Sequence, residues 1–171
     1  MFLKNYTSEV AASTTIQRIV TLLIRVGIST VSMDYAPDGS INGVTFSVRI
    51  ETRTVPIRVP VDVDAAWNAL WMDYVGKDRL SNDGTAIWNN SAKRKTKKMF
   101  RDQAQRTAWK LMQDWIEVQI SLIQMKQADL LQVFLPYVWN GDQTFYHRLK
   151  ASQFKALEAP KVVSPEAITE V

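Results

Sequence analysis

The chain contains no cysteine, which excludes disulfides, thiolate metal sites and a thiol nucleophile together. Its single histidine, His147, excludes multi-histidine metal centres and leaves one imidazole for any triad or acid–base chemistry. No G-x-S-x-G nucleophile motif accompanies it, and no Gly-rich loop is followed by Lys-Ser/Thr for phosphate binding. Glycine and proline number six each, too few for a collagen-like or low-complexity chain. No apolar run approaches the roughly 20 residues of a membrane span. Residues 1–6, Met-Phe-Leu-Lys-Asn-Tyr, also lack the apolar centre of a signal peptide. These absences predict a soluble intracellular protein away from membranes, non-enzymatic, with no cofactor and no metal.

What is present is ordinary in bulk and uneven in placement. At 171 residues, 46% apolar and 22% charged, the chain suits one domain with a real core. The boundaries read as residues 1–158 for that domain and 159–171 for a flexible tail. The net charge is +4, yet residues 93–110 alone carry eight basic residues and one acid, Asp102. That stretch is +7 and the remainder −3, the footprint of a surface for an anionic partner.

Hydrophobic periodicity gives an α+β order. Thr14 and Gln17 stand at capping-box spacing before Ile16, Ile19, Val20 and Leu23, with Gly27 as a stop. Val31, Met33 and Tyr35 alternate, as do Val44, Phe46, Val48 and Ile50, and then Val55, Ile57 and Val59. Pro37-Asp38-Gly39 is turn chemistry, and Gly39 and Gly43 read as hairpin glycines. A three-stranded antiparallel meander over about 28–59 follows. Pro56 makes its third strand an edge, with the proline nitrogen facing outward. A second helix begins at Asp62 or Asp64, carries Trp67, Leu70, Trp71 and Tyr74, and stops near Gly76. A loop over 77–90 precedes a long helix over about 91–127. Along that helix Ala104, Ala108, Leu111, Trp115, Val118, Leu122 and Met125 form one apolar line. Trp109, Met112, Ile116, Ile120 and Ile123 form a second. Shorter C-terminal helices are predicted from Asp129 and over 144–157, on either side of the Asn140-Gly141-Asp142 turn.

Candidate chemistry is confined to the basic segment. Asp62 and Asp64 read as helix caps rather than magnesium ligands, and Asp34 and Asp38 as turn residues. In a helix Arg94, Lys97, Lys98 and Arg101 share one face, with Lys93 and Lys95 beside them. Cations at a helix start oppose its dipole, so an anionic partner accounts for them where helix stability does not. Phosphates fit, and Trp88 upstream offers an aromatic face for a base. Arg49 and Arg53 add charge on the sheet, where their parity opposite to Val48 and Ile50 predicts the exposed face. Of the six tryptophans, Trp67, Trp71, Trp109 and Trp115 read as core, Trp88 and Trp139 as exposed.

The motifs Lys4-Asn5-Tyr6-Thr7-Ser8, Ala108-Trp109-Lys110-Leu111, Asp114-Trp115-Ile116-Glu117-Val118-Gln119 and Phe134-Leu135-Pro136-Tyr137 occur in that order. In this the chain resembles a group of small uncharacterised bacteriophage and prophage proteins over most of residues 4–140. The resemblance implies a phage protein acting inside a bacterial host cell, and brings no catalytic residues with it. In outline, α-β-β-β-α over 14–76 is similar to a double-stranded RNA-binding domain, but Asp62 and Asp64 stand where that module is basic. Two partner classes follow: nucleic acid itself, as single-stranded DNA or RNA, or a nucleic-acid-processing host protein. In the second case the chain would be a counter-defence protein that inhibits a host nuclease or CRISPR effector, or sequesters a nucleotide signal. The wide apolar stripe of the long helix leaves a homo-oligomer open as well.

Overall fold

The computed structural model describes residues 3–81 and 96–157. In chain order they form α1 (Ala12–Arg25), β1 (Val31–Tyr35), β2 (Ile41–Ile50), β3 (Arg53–Pro60) and α2 (Val63–Ser81). Then come α3 (Arg101–Gln124), α4 (Leu130–Phe134) and α5 (Phe145–Ala151), with 3₁₀ turns at Lys97–Phe100, Leu135–Tyr137 and Lys155–Leu157. The first of these turns runs directly into α3. The fold is α+β as expected: a helix, an antiparallel meander in the order β1-β2-β3, a long helix and short C-terminal ones. Trp88, Lys93, Arg94, Lys95 and the tail expected at 159–171 lie outside the described residues.

The two-residue period puts Val44 and Phe46 of β2 on the same sheet face as Ile57 and Val59 of β3, all buried. Ile16, Ile19 and Leu23 of α1 and Trp109, Ile116 and Ile120 of α3 complete that core. Phe134 of α4 meets Phe46 edge-on at 5.2 Å and Trp115 at 5.6 Å, joining sheet and long helix through one ring. The opposite sheet face is polar. There Asp34 of β1 accepts hydrogen bonds from Thr45 Oγ1 of β2 at 3.1 Å and Arg58 Nε of β3 at 2.9 Å, tying all three strands. Gly43 lies inside β2 opposite Asp34, not in the hairpin as its sequence context suggested. A Cβ there would come within 3.0 Å of the Asp34 carboxylate and 3.2 Å of the Val59 carbonyl. The glycine makes room for this cross-strand network.

β3 is an edge strand, as Pro56 required. The Pro56 carbonyl accepts from the Trp139 amide at 2.8 Å on the side away from β2. A residue's nitrogen and carbonyl point the same way in an antiparallel strand, so the proline ring faces outward too.

Helix ends depart from the sequence reading where tertiary packing outweighs local signals. α1 starts at Ala12, so Thr14 and Gln17 lie within it and form no capping box; Ala11 offers no capping side chain. Its end is a Schellman motif: Gly27, at φ +87°, donates to Ile24, and Ile28 to Leu23. Asp62 is the α2 cap, accepting from Ala65 N at 2.7 Å, and Asp64 is left for another task. α2 continues past Gly76 to Ser81. A lone glycine costs a helix only about 0.5–1 kcal/mol, too little to end one packed against α3. The α3 apolar line also splits. Ala104 and Ala108 are buried, whereas Val118 and Met125 are more than half exposed. Steps of four and three average 3.5 residues per turn, so the line drifts about 20° per heptad around a straight helix. After two to three heptads it has left the buried face, which continues through Gln113, Ile116 and Ile120. α3 ends at Gln124, three residues short of expectation. The expected 144–157 helix is interrupted by left-handed Gln153 and Phe154.

Candidate nucleic-acid interface

α2 and α3 run antiparallel. Asp64 meets Arg101 and, four residues on in α2, Asn68 meets Lys97, four residues back along the chain. Between these two pairs sits Trp67. Its indole Nε1 donates to the Lys97 carbonyl at 2.6 Å, while Lys97 Nζ and Arg101 Cζ each lie 4.9 Å from its ring centroid. Lys97 Nζ also donates to Asn68 Oδ1 at 2.6 Å, and the Arg101 guanidinium is bonded to the Asp64 carboxylate. Two of the candidate cations therefore clasp the helical hairpin. Trp71, Tyr74 and Phe100 stack beside the clasp with centroids 5.3–6.2 Å apart.

Contrary to the expectation from the helix dipole, the cation that begins α3 needs no outside anion. Arg101 has an internal anionic partner, Asp64, 37 residues earlier in the chain. The signal was legible only in pairs. Asp64, Trp67 and Asn68 fall at i, i+3 and i+4 on one helix face, matching Lys97 and Arg101 at i and i+4. Of the described candidates, Lys98 is exposed and forms no ion pair among the described residues.

Arg49 and Arg53 are not brought to this cluster. The β1–β2 hairpin lies beside Arg101, in a cleft of about 560 Å³ that Asp38, Ile41, Asp62 and Asp64 also line. β2 leads away from it, so Arg49, eight residues beyond Ile41, stands about 26 Å along the strand. Arg53 also occupies the other face from Arg49. It pairs with Ile50, and cross-strand partners share a face, whereas Arg49 pairs with Thr54. The tight turn through Glu51 and Thr52 makes even positions of β2 face odd positions of β3, so the parity of one strand does not carry into the next. Both arginines are exposed. Trp139, expected to be free, is half-buried, with the Arg58 guanidinium 4.7 Å over its ring.

The acids in the cleft are occupied. Asp38 accepts from the Ser40 hydroxyl at 2.6 Å and amide at 3.0 Å, and these bonds hold its carboxyl below the ordinary range. Asp62 caps α2 and Asp64 holds Arg101. Among the described residues no group of three histidines or acids is placed to hold a metal ion. His147 is exposed, its Nδ1 2.7 Å from the Thr144 hydroxyl at the start of α5.

In α5 and the turn after it the cations are interleaved with other residues, so no basic run marks them in the sequence. Arg148, Lys150 and Lys155 form no ion pair among the described residues, and no acid falls between Asp142 and Glu158. No family model, curated protein or solved structure matches this chain.

Proposed function

We propose that the chain is a non-enzymatic protein that binds single-stranded nucleic acid through the tip of its α2–α3 hairpin. One observation carries this reading. α2 and α3 are antiparallel, and the basic run falls where the chain passes from one to the other. Residues 82–100, between the two helices, carry five basic residues and one acid. Lys98 is exposed, and Lys93, Arg94 and Lys95 are close to it in sequence. Neutralising phosphates there releases counterions, so affinity should fall steeply with salt. Lys97 and Arg101 support the surface by holding the helices together rather than by facing the ligand.

The experiment is fluorescence anisotropy with labelled single-stranded and duplex DNA and RNA across a salt series. The informative variant is Lys93/Arg94/Lys95/Lys98→Ala, which leaves the Lys97–Trp67–Arg101 clasp intact. Loss of binding with an unchanged unfolding midpoint supports the reading, and tight binding by the variant refutes it. The second reading is a phage counter-defence protein that presents the same tip to a host nuclease or to a nucleotide signal. It predicts no appreciable affinity for nucleic acid alone at low salt.

A further inference from the structure

The C-terminal element has the opposite character from a core helix. α5 contributes no buried residue, and residues 150–157 are all exposed. Two of its aromatic side chains face outward: Tyr146 is 47% exposed and Phe154 38%, with ring centroids 6.2 Å apart. Phe154 reaches that position through two consecutive left-handed residues, Gln153 at φ +54° and Phe154 at φ +58°. The Phe154 amide donates to Leu149 and the Gln153 amide to Lys150, so the turn that brings the ring back to Tyr146 is closed. Arg148, Lys150 and Lys155 form no ion pair among the described residues, and Lys155 follows Phe154 directly in the chain. Lys150 lies one helical turn after Tyr146, on the same side of α5. Arg148 covers Phe145 at 5.3 Å.

We infer that this surface is a stacking platform for single-stranded nucleic acid, separate from the α2–α3 tip. Unpaired bases lie on Tyr146 and Phe154, and Lys150 and Lys155 follow the phosphates. The charge complementarity is one-sided, three cations and no acid from Gln143 to Leu157. The rings are held at fixed spacing with cations beside them, the arrangement that sequence-tolerant base stacking uses. An anionic membrane surface also attracts cations and aromatics. It is served by a longer amphipathic helix with a continuous apolar face, which the seven residues of α5 do not provide. The platform stands independently of the basic tip.

The test uses the full chain and a 5′-labelled oligothymidylate of about fifteen nucleotides in anisotropy titrations. Three variants are compared with wild type: Tyr146→Leu/Phe154→Leu, Tyr146→Trp/Phe154→Trp, and Lys150→Ala/Lys155→Ala. The aliphatic pair should weaken binding at least fivefold, whereas the tryptophan pair keeps it. The double alanine should lower the slope of log affinity against log salt by about 1.4, from two phosphate contacts at roughly 0.7 each. Because α5 buries nothing, all three should retain the wild-type unfolding midpoint. Equal affinity of the leucine and tryptophan pairs overturns the proposal. So does a preference for phosphatidylserine vesicles over the oligonucleotide, or a concentration-dependent dimer that the leucine pair abolishes. If the Lys93/Arg94/Lys95/Lys98→Ala protein loses binding while the α5 variants do not, the platform falls and the tip reading stands. The reverse pattern separates them the other way.

Discussion

Replacing Asp114 with asparagine tests how residues 4–8 are held to α3. The carboxylate accepts from Lys110 Nζ at 2.9 Å, Asn5 Nδ2 at 3.0 Å and Lys4 Nζ at 3.0 Å. Partial burial by itself raises its pKa, but the bonds from Lys110, Asn5 and Lys4 outweigh burial and hold it at about 2, against an ordinary 3.8. A group depressed on folding stabilises the fold above its unfolded pKa and loses that contribution as pH falls through the folded value. The window is therefore about pH 4 to pH 2. The displacement corresponds to about 2 kcal/mol at most. The side chain is 22% exposed and Lys4 70%, so solvent screening brings the expectation to about 1 kcal/mol. The amide of Asp114→Asn would keep the shape but meet the two ammonium groups with one acceptor. Urea unfolding followed by tryptophan fluorescence from pH 7 to pH 2 should give a wild-type advantage of about 1 kcal/mol above pH 4. That advantage should shrink as pH approaches 2, and also with added salt at neutral pH. A difference independent of pH would refute the electrostatic account and leave only a packing effect.

Lys126 ends α3 in the left-handed conformation at φ +57°, the place Gly27 takes after α1. Lys126→Gly should therefore stabilise the fold by about 1 kcal/mol, raising the thermal midpoint by about 2–4 °C; a lower midpoint would contradict this. Phe134→Ala removes the ring between Phe46 and Trp115 and should cost about 3–5 kcal/mol in chemical denaturation. A cost under 1 kcal/mol would mean that α4 does not close the core. An Asp64→Ala/Arg101→Ala double-mutant cycle should give a coupling of only about 0.2–1 kcal/mol, because Asp64 is 70% exposed. Coupling above 2 kcal/mol would reveal a pair far better shielded than its surroundings allow.

Much of the fold was legible because two-residue alternation in Val44–Ile50 and Val55–Val59 admits little but strands with one buried face. Pro56 then assigned the edge through its missing N–H. Asp62 and Asp129 were readable as caps because capping is a local contact within three residues. What escaped depends on partners distant in sequence. Thr14 and Gln17 had the spacing of a capping box, yet the helix had already begun at Ala12. The face of Arg53 is decided by its pairing with Ile50, not by its own strand. The charge run itself was plain, but its division into clasp and exposed residues required Asp64, Trp67 and Asn68, which no window around Lys97 contains. α5 was missed for another reason, since three cations spread over eight residues make no run, and only exposure brings them together with Tyr146 and Phe154.

The segment before α1 has one more implication. Asn5 binds Asp114 through its amide and Thr107 through its carbonyl, Gln103 Nε2 reaches the carbonyls of Tyr6 and Ser8, and Arg106 also reaches Ser8. Every one of these partners is made about a hundred residues after the segment itself. At ribosomal speeds of roughly 5–20 residues per second, that is a wait of about 5–20 s. During it α1 and the meander emerge and can pair, before these α3 partners of the segment exist. Its docking thus comes after α1 and the meander have been made, and it joins the earliest-made residues to α3 in one cooperative body.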